Sequence, residues 1–324
     1  MSAFPICLAG LCNAQNVTMA LRVGAVGTAV ASVFNQGAAN TRFATLPVGP
    51  IPFGPVLVNS LTRSSGLASS NIEMNPSFSG QVAATGFRIY TEAVAVASGT
   101  SSSSAQTTMT APVRLTLMSP VPVSGRLALR YFGQTSGASA ANINVDLGGD
   151  GSVDFKALSN SFASSSTPRF IEFPVTMAPS LSIDLSVANQ ASTAMPGAGS
   201  SVAIASMVIE AQFFPGQPAV QTYDLSGATA ELLATHHPDD TLDLRLEYES
   251  LQPPGVIIFG LQPTSVPLLQ TATQLVQTGF VAPGNNLLVA LPQLPPGTTV
   301  FCQGFIVDGT AALRSSPSLR VLWP

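Results

Sequence analysis

Apolar and polar residues alternate with period two along most of the chain, and sustained helical periodicity is absent. In Leu181-Ser182-Ile183-Asp184-Leu185-Ser186-Val187 every odd position is apolar and every even one polar, which is the pattern of a strand with one wet face. Val113 to Leu117 and Arg126 to Tyr131 repeat it. The Pro122 and Ser124-Gly125 turn between those two runs predicts that they form a hairpin. Upstream, Val17 to Val33 alternates in its first half and then becomes small and apolar, while Phe87 to Val96 offers Phe87, Ile89 and Thr91 on one side. Both predict strands. Leu46 to Pro55 carries too many prolines for a central strand or a helix and predicts an extended surface crossing; Ser98 to Ser104 reads as a flexible connection.

A boundary falls at Phe213-Phe214-Pro215-Gly216-Gln217-Pro218, after the strand-like stretch from Val202 to Phe213. Beyond it, short strands are predicted at Leu242 to Tyr248, Val256 to Phe259, Leu287 to Leu291, Thr299 to Val307 and Leu319 to Leu322. They are punctuated by Pro253-Pro254-Gly255, Pro283-Gly284-Asn285 and Pro295-Pro296-Gly297. In the first of them Leu242, Leu244, Leu246 and Tyr248 face inward and Asp243, Arg245 and Glu247 outward. Ala228 to Ala234 is the one stretch suited to a turn or two of helix. The fold class that follows is all-β, with two β-sandwich domains in tandem, jelly-roll or immunoglobulin-like. Residues 15–215 form the first domain and 216–324 the second, after an apolar segment at 1–14.

Composition changes this picture at the surface. Charged residues are 9% of the chain against 46% apolar, where about a quarter is usual for charged residues, so the exterior is built from Ser, Thr, Gln, Asn, Gly and Ala. Lys156 is the sole lysine beside eleven arginines, and a net charge of -4 offers no basic stripe for a phosphate backbone. Nucleic acid is excluded as a partner. No run approaches the ~20 apolar residues of a membrane-spanning helix. So few charges give little mutual repulsion, which makes copies of the same chain the expected partner.

Ala3 to Leu11 is a short apolar run, and Cys12-Asn13-Ala14 fits the small-x-Ala pattern of a signal peptidase site. Residues 1–14 therefore read as a signal-peptide remnant or as a donor strand, and the expected location is extracellular or at the cell surface. Cys7, Cys12 and Cys302 lack C-x-x-C spacing for zinc. A Cys7–Cys12 bond, a bond from the amino-terminal segment to the last domain or another subunit, and an unpaired Cys302 buried in a strand all stay open.

The densest local motif is Asp146-Leu147-Gly148-Gly149-Asp150-Gly151-Ser152-Val153-Asp154. Acids at relative positions one, five and nine, with glycine at six, resemble the first part of a calcium loop, and Asp146, Asp150 and Asp154 are the candidate ligands. Position three is Gly148 and the twelfth is Ala157, so the loop is short of oxygens. A β-hairpin capped by its aspartates is the competing reading. His236-His237-Pro238-Asp239-Asp240 holds both histidines beside two carboxylates. Adjacent side chains diverge on extended backbone and no third ligand stands near, so a polar loop is expected. No Gly-x-Ser-x-Gly elbow exists to use these histidines as bases. Seven of the sixteen acids lie from Asp224 to Glu249 with Arg245 the sole cation there, which a solvated strand face explains; a weak divalent-ion site or a contact with a neighbour's arginines is the alternative. With Trp323 the only tryptophan, aromatic stacking of sugars is disfavoured, while hydrogen-bonding lectin sites stay possible.

Leu294-Pro295-Pro296-Gly297, Val300 to Asp308 and Ser316 to Leu322 resemble the carboxy-terminal β-modules of large, poorly characterised families of exported bacterial proteins. The resemblance covers the last 70 or so residues and implies export and a β-fold, with no reaction and no catalytic residue. The expected function is a structural subunit of an extracellular assembly, such as a filament, appendage or surface layer. Its assembly segment would be the alternating Val17, Met19, Leu21 and Val23, adding a strand to a neighbour's sheet. The alternative is a secreted calcium-dependent binding or adhesion module. A hydrolase working through carboxylates or the His236 region is the third reading.

Overall fold

A computed structural model describes residues 17–35, 38–50, 54–63, 65–75, 77–78, 81–82, 85–99, 103–160, 165–195, 199–224, 228–248 and 253–324. These residues contain strands and no helix. The first strands are β1 (Thr18–Val23), β2 (Gly27–Asn35), β3 (Ala38–Leu46), β4 (Gly49–Pro50), β5 (Gly54–Arg63) and β6 (Gly66–Asn75). A small pair, β7 (Ser77–Phe78) and β8 (Gln81–Val82), precedes the long strands β9 (Gly86–Gly99), β10 (Ser103–Met118) and β11 (Val123–Ser136). Then follow β12 (Ala138–Leu147), β13 (Phe155–Asn160), β14 (Ser165–Met177), β15 (Ser180–Met195) and β16 (Gly199–Pro215).

These strands form two antiparallel sheets packed face to face. One has the order β13-β12-β15-β10, after which β1 and β2 pair with successive halves of β10 and lead on to β4 and β3; the other runs β14-β11-β16-β9-β6-β5. Between the sheets lies one apolar core. In β10 every second residue from Ser103 to Leu117 is buried, because the pleat sends alternate side chains to opposite faces. One half of this core is lined by alanines, among them Ala29, Ala31, Ala93, Ala95, Ala105, Ala203 and Ala205, while the other half holds Ile72, Phe87, Ile89, Leu115, Leu117 and Leu129. Alanine buries little area, so that half gains less from exclusion of water. Buried polar groups bridge the sheets instead. Asn189 Nδ2 of β15 donates to Thr91 Oγ1 of β9 at 3.0 Å, and Asn59 Nδ2 of β5 donates to the carbonyls of Ala29 and Arg42 at 3.1 and 3.2 Å.

Past Pro215 the strands are β17 (Ala219–Asp224), β18 (Glu231–His236), β19 (Thr241–Glu247), β20 (Gly255–Gly260) and β21 (Pro263–Pro267). The last five are β22 (Thr273–Val276), β23 (Phe280–Pro283), β24 (Asn286–Ala290), β25 (Thr299–Val307) and β26 (Leu313–Leu322). A five-stranded sheet β17-β26-β25-β20-β23 faces a three-stranded sheet β18-β19-β24. Leu242, Leu244 and Leu246 meet Ile257, Cys302, Ile306, Leu319, Val321 and Trp323 in a core of their own. Asp243 and Arg245 face outward, as the alternation predicts. Cys302 is a free, fully buried thiol, pushed up to about 12 by burial. Trp323 Nε1 donates to Pro292 O at 3.0 Å, so the tryptophan fills the core with its polar edge satisfied.

Three expectations are corrected. Val113 to Leu117 and Arg126 to Tyr131 do not form a hairpin. β10 and β11 lie in opposite sheets, and Ser119 to Pro122 carries the chain across the sandwich. Alternation identifies a strand's buried face but is blind to which sheet owns it. Ala228 to Ala234 is not helical: Glu231 to His236 pair with β19 in register, Leu232 opposite Leu246, because burial in the sheet outweighs a few tenths of a kcal/mol of helix propensity. The connection expected over Ser98 to Ser104 is shorter at both ends, β9 running to Gly99 and β10 starting at Ser103; residues 100–102 lie outside the described residues.

Close approach of the two sheets in the second core is set at Gly304, where an added Cβ would stand 2.4 Å from Leu246 Cδ1. Gly304→Ala is expected to destabilise the protein by about 1–3 kcal/mol through overpacking, read from the urea midpoint. The same substitution should cost less in a Leu246→Ala background, where the crowding methyls are gone.

Candidate functional site

Two places gather polar side chains with defined geometry. The first lies where the outer face of the six-stranded sheet meets the segment after Pro215. Arg126 sits on that face, paired in register with Phe214 on one side and Pro174 on the other, while the neighbouring Ala128 is opposite Glu172. The guanidinium stacks on Phe214 with 4.1 Å to the ring centroid and pairs through Nη1 with Glu172 Oε1. Its remaining hydrogen bonds go to Gln217 Oε1 at 2.9 Å and His237 O at 3.2 Å. Glu172 Oε2 accepts from Val220 N at 2.8 Å and faces His236 Nδ1 at 3.1 Å, and His236 Nε2 meets Asp240 Oδ1 at 3.0 Å.

The imidazole of His236 is 2% exposed, enclosed between two carboxylates. Burial works against its charged form, but hydrogen bonds to Asp240 and Glu172 together outweigh it and raise its pKa above the usual histidine value. Burial lowers the pKa of Arg126, opposed by Glu172. An arginine and a histidine thus share one glutamate across the boundary between the two cores. Removing one member of such a buried set leaves an uncompensated charge, at a cost of about 3–5 kcal/mol. The polar-loop expectation for His236 is corrected: it ends β18 and locks one sandwich to the next. Sequence offered no signal for this, since Arg126, Glu172 and His236 are far apart along the chain. Held between the carboxylates of Glu172 and Asp240, this histidine is a charged tie.

The second place is a cavity of about 310 Å³ on the outer face of the eight-stranded sheet. Its floor includes Pro112 and Arg114 of β10, Asp184 and Ser186 of β15, and Asn144 and Asp146 of β12. Gly24 and Ala25 form one wall and Gly151 and Val153 the other. Strand register places these groups: Arg114 is opposite Asp184, and Asp184 opposite Asp146. Arg114 Nε and Nη2 donate to the two oxygens of Asp184 at 2.6 and 2.5 Å. Hydrogen bonding to Asp184 and its charge raise the pKa of Arg114. Such a planar pair is fixed in orientation and largely neutral as a unit.

In the 146–154 loop the three candidate calcium ligands are engaged within the loop itself. Asp146 Oδ1 accepts from the amides of Gly149 and Asp150 at 3.0 and 3.3 Å, and its Oδ2 from Gly151 N at 2.7 Å. Asp150 Oδ1 takes Ser152 N and Oγ, and Asp154 Oδ2 takes Leu147 N at 2.6 Å. The carboxylates cap their own hairpin, whose Gly148, Gly149 and Gly151 have positive φ. Among the described residues no group of three or more His, Cys, Asp or Glu is placed to hold a metal ion.

The candidate assembly segment pairs within its own chain. Thr18 to Val23 pair in register with Met118 to Val113 of the same chain. Val23 is buried, and Val17, Met19 and Leu21 pack against the first core. Their apolar face is consumed at home, so no neighbour is needed to cover it. Cys7, Cys12 and the rest of 1–14 lie outside the described residues.

No family profile and no curated protein matches the chain. Among solved structures, it is similar to the glycoside hydrolase domain of Endo-D from Streptococcus pneumoniae R6 (9% identity, 82% of this chain, 37% of that one, TM-score 0.20). It is also similar to a β-1,2-glucanase from Parabacteroides distasonis (10%, 95%, 37%, TM-score 0.19) and to the adhesin domain of Epf from Streptococcus pyogenes (10%, 81%, 96%, TM-score 0.17). The chain spans little more than a third of the first two. Likenesses this low carry no argument about fold or chemistry.

The His236 tie has a pH signature. Because the folded pKa lies above the unfolded value of ~6.5, the imidazolium's contribution is fully present below that pH and is lost as pH rises through the raised value. Unfolding free energy from urea titrations should fall across that window. His236→Gln, which keeps an N–H donor for one of the two carboxylates, should remove this slope and cost about 1–3 kcal/mol on its acid side, less than loss of a member without replacement.

Proposed function

We propose that this protein is an exported structural subunit that associates with copies of itself through an open sheet edge. The observation that carries the reading is β3. Among the described residues it pairs with β2 alone, in unbroken register from Leu46 opposite Gly27 to Ala38 opposite Asn35. Ala38 to Phe43 are exposed on both faces of the strand, and Phe43 is 72% exposed. A long edge with one free row of backbone donors and acceptors is a template for another strand unless lysine, proline or a bulge guards it. β3 has no lysine, proline or bulge. Its one charge is the exposed Arg42, whose guanidinium is engaged with Ser60 O at 2.8 Å.

The surrounding surface favours the same reading. Across β3, β2, β10 and β15 one outward row is Thr41, Ser32, Gln106 and Ser192, the next is Phe43, Val30, Thr108 and Gln190, and the one after it Thr45, Thr28, Thr110 and Ala188. No ion has to be desolvated for a second copy to approach this face. Two β3 edges meeting antiparallel would give a self-complementary contact. The low lysine content, the apolar first residues and the resemblance of the last residues to exported modules support placement outside the cell. A second reading, a secreted binding module, is favoured by the cavity at Arg114 and Asp184.

Sedimentation velocity over a concentration series tests the edge. The native chain should form dimers or longer species, and Thr41→Lys with Phe43→Lys should weaken association at least about tenfold without altering the circular dichroism spectrum. A native chain that stays monomeric throughout, or association indifferent to both lysines, would sink the proposal.

A further inference from the structure

We propose that the cavity over β10, β12 and β15 is a binding site for a neutral polyhydroxyl ligand, one saccharide ring in size. Its volume of about 310 Å³ stands at the lower end of the ~300–1,000 Å³ of small-ligand sites.

Charge selects the ligand class. The floor holds one cation, Arg114, and two carboxylates, Asp184 and Asp146. Arg114 and Asp184 neutralise each other in a bidentate pair, and Asp146 is saturated by three backbone amides. A phosphate, sulfate or carboxylate ligand would face two carboxylates and gain a guanidinium already engaged, so anions are rejected. An ammonium ligand would meet carboxylates whose charge is already spread over their own donors.

What stays uncommitted is neutral. Among the described residues neither the Asn144 carboxamide nor the Ser186 hydroxyl has a hydrogen-bond partner within the chain. Register puts Ser186 directly opposite Asn144, so both act on the same side of a bound molecule. An amide and a hydroxyl each donate and accept, as does every hydroxyl of a sugar. Asp184 keeps lone pairs beyond those its arginine uses. Apolar surface is present beside them: Pro112 on the floor, and Ala25 and Val153 on the walls, Val153 being 56% exposed. A pyranose presents this same mixture of hydroxyl edges and C–H faces.

The walls are preorganised. Asp146 pins the hairpin tip through its amides, and at Gly149 an added Cβ would stand 3.5 Å from both Arg114 Nη2 and Asp184 Oδ2. The tip thus stands beside the ion pair with room for about one methyl group between them. The aspartate-glycine motif becomes the scaffold of one wall, and binding would pay little ordering cost.

The test is titration of the isotope-labelled full chain, followed by amide NMR, with methyl β-glucopyranoside, N-acetylglucosamine, methyl α-mannopyranoside and, as the anionic probe, glucose 6-phosphate. Saturable shifts confined to Gly24, Ala25, Gly151 and Val153 with at least one neutral probe are expected, weakened about tenfold or more in Asn144→Ala and in Ser186→Ala. Both positions lie on the wet face, so the two variants should keep the native spectrum elsewhere. No saturable shift with any neutral probe, tighter binding of glucose 6-phosphate, or binding indifferent to both variants overturns the assignment. Self-association at β3 is read separately by sedimentation, so either proposal can fail without the other.

Discussion

β10 pairs with β15 along its entire length on one side, and with β2 and then β1 on the other. Its sixteen residues alternate buried and outward without a break, so one strand fixes which face of the eight-stranded sheet is dry. Every later feature depends on that parity. The odd positions, Met109, Val113, Leu115 and Leu117 among them, close the core, and the even positions place Thr108, Thr110 and Arg114 outside. A slip of one residue would bury Arg114 and expose six apolar side chains. The alternation is therefore more than a fold signature. It puts an arginine across from an aspartate on the wet face and leaves the next row to hydroxyls and amides.

Charge is scarce, and where it occurs it is mostly committed. Arg114 holds Asp184, Arg130 holds Glu210, Arg314 holds Asp308, and Arg126 shares Glu172 with His236. Exposed pairs contribute little to stability, about 0–1 kcal/mol each. The buried set at Arg126 is different in kind. Its desolvation cost is offset only while every partner is present, which favours one arrangement of the two sandwiches over others that burial of apolar area alone would permit. The rest of the surface is left to groups that bind water without charge. Such a surface tolerates close neighbours, and β3 offers them a free edge.

The two sandwiches do not lean equally on apolar burial. In the first, an alanine-lined half is bridged by Asn189 to Thr91 and by Asn59 to the carbonyls of Ala29 and Arg42. Those amides satisfy buried carbonyls and hydroxyls that would otherwise be costly to desolvate. In the second, leucines, Ile306 and Trp323 fill the core, and a glycine at 304 lets the sheets approach. The sequence signals differ accordingly. Leucine alternation from Leu242 to Leu246 reads at once as a strand, whereas the small residues of 27–33 are legible only as apolar.

By itself the sequence determined the all-β class, the buried faces of the strands it identified and the poverty of surface charge. These follow from the pleat and from composition, both of which are local or additive. Sheet membership, the capping role of Asp146, the burial of His236 and the closure of Val17 to Val23 onto its own β10 were decided only in three dimensions. Glu172 and His236 are 64 residues apart, and Arg126 and Glu172 are 46 apart. No periodicity connects positions so distant, because a strand's sequence specifies which side is oily and leaves open which other strand will cover it.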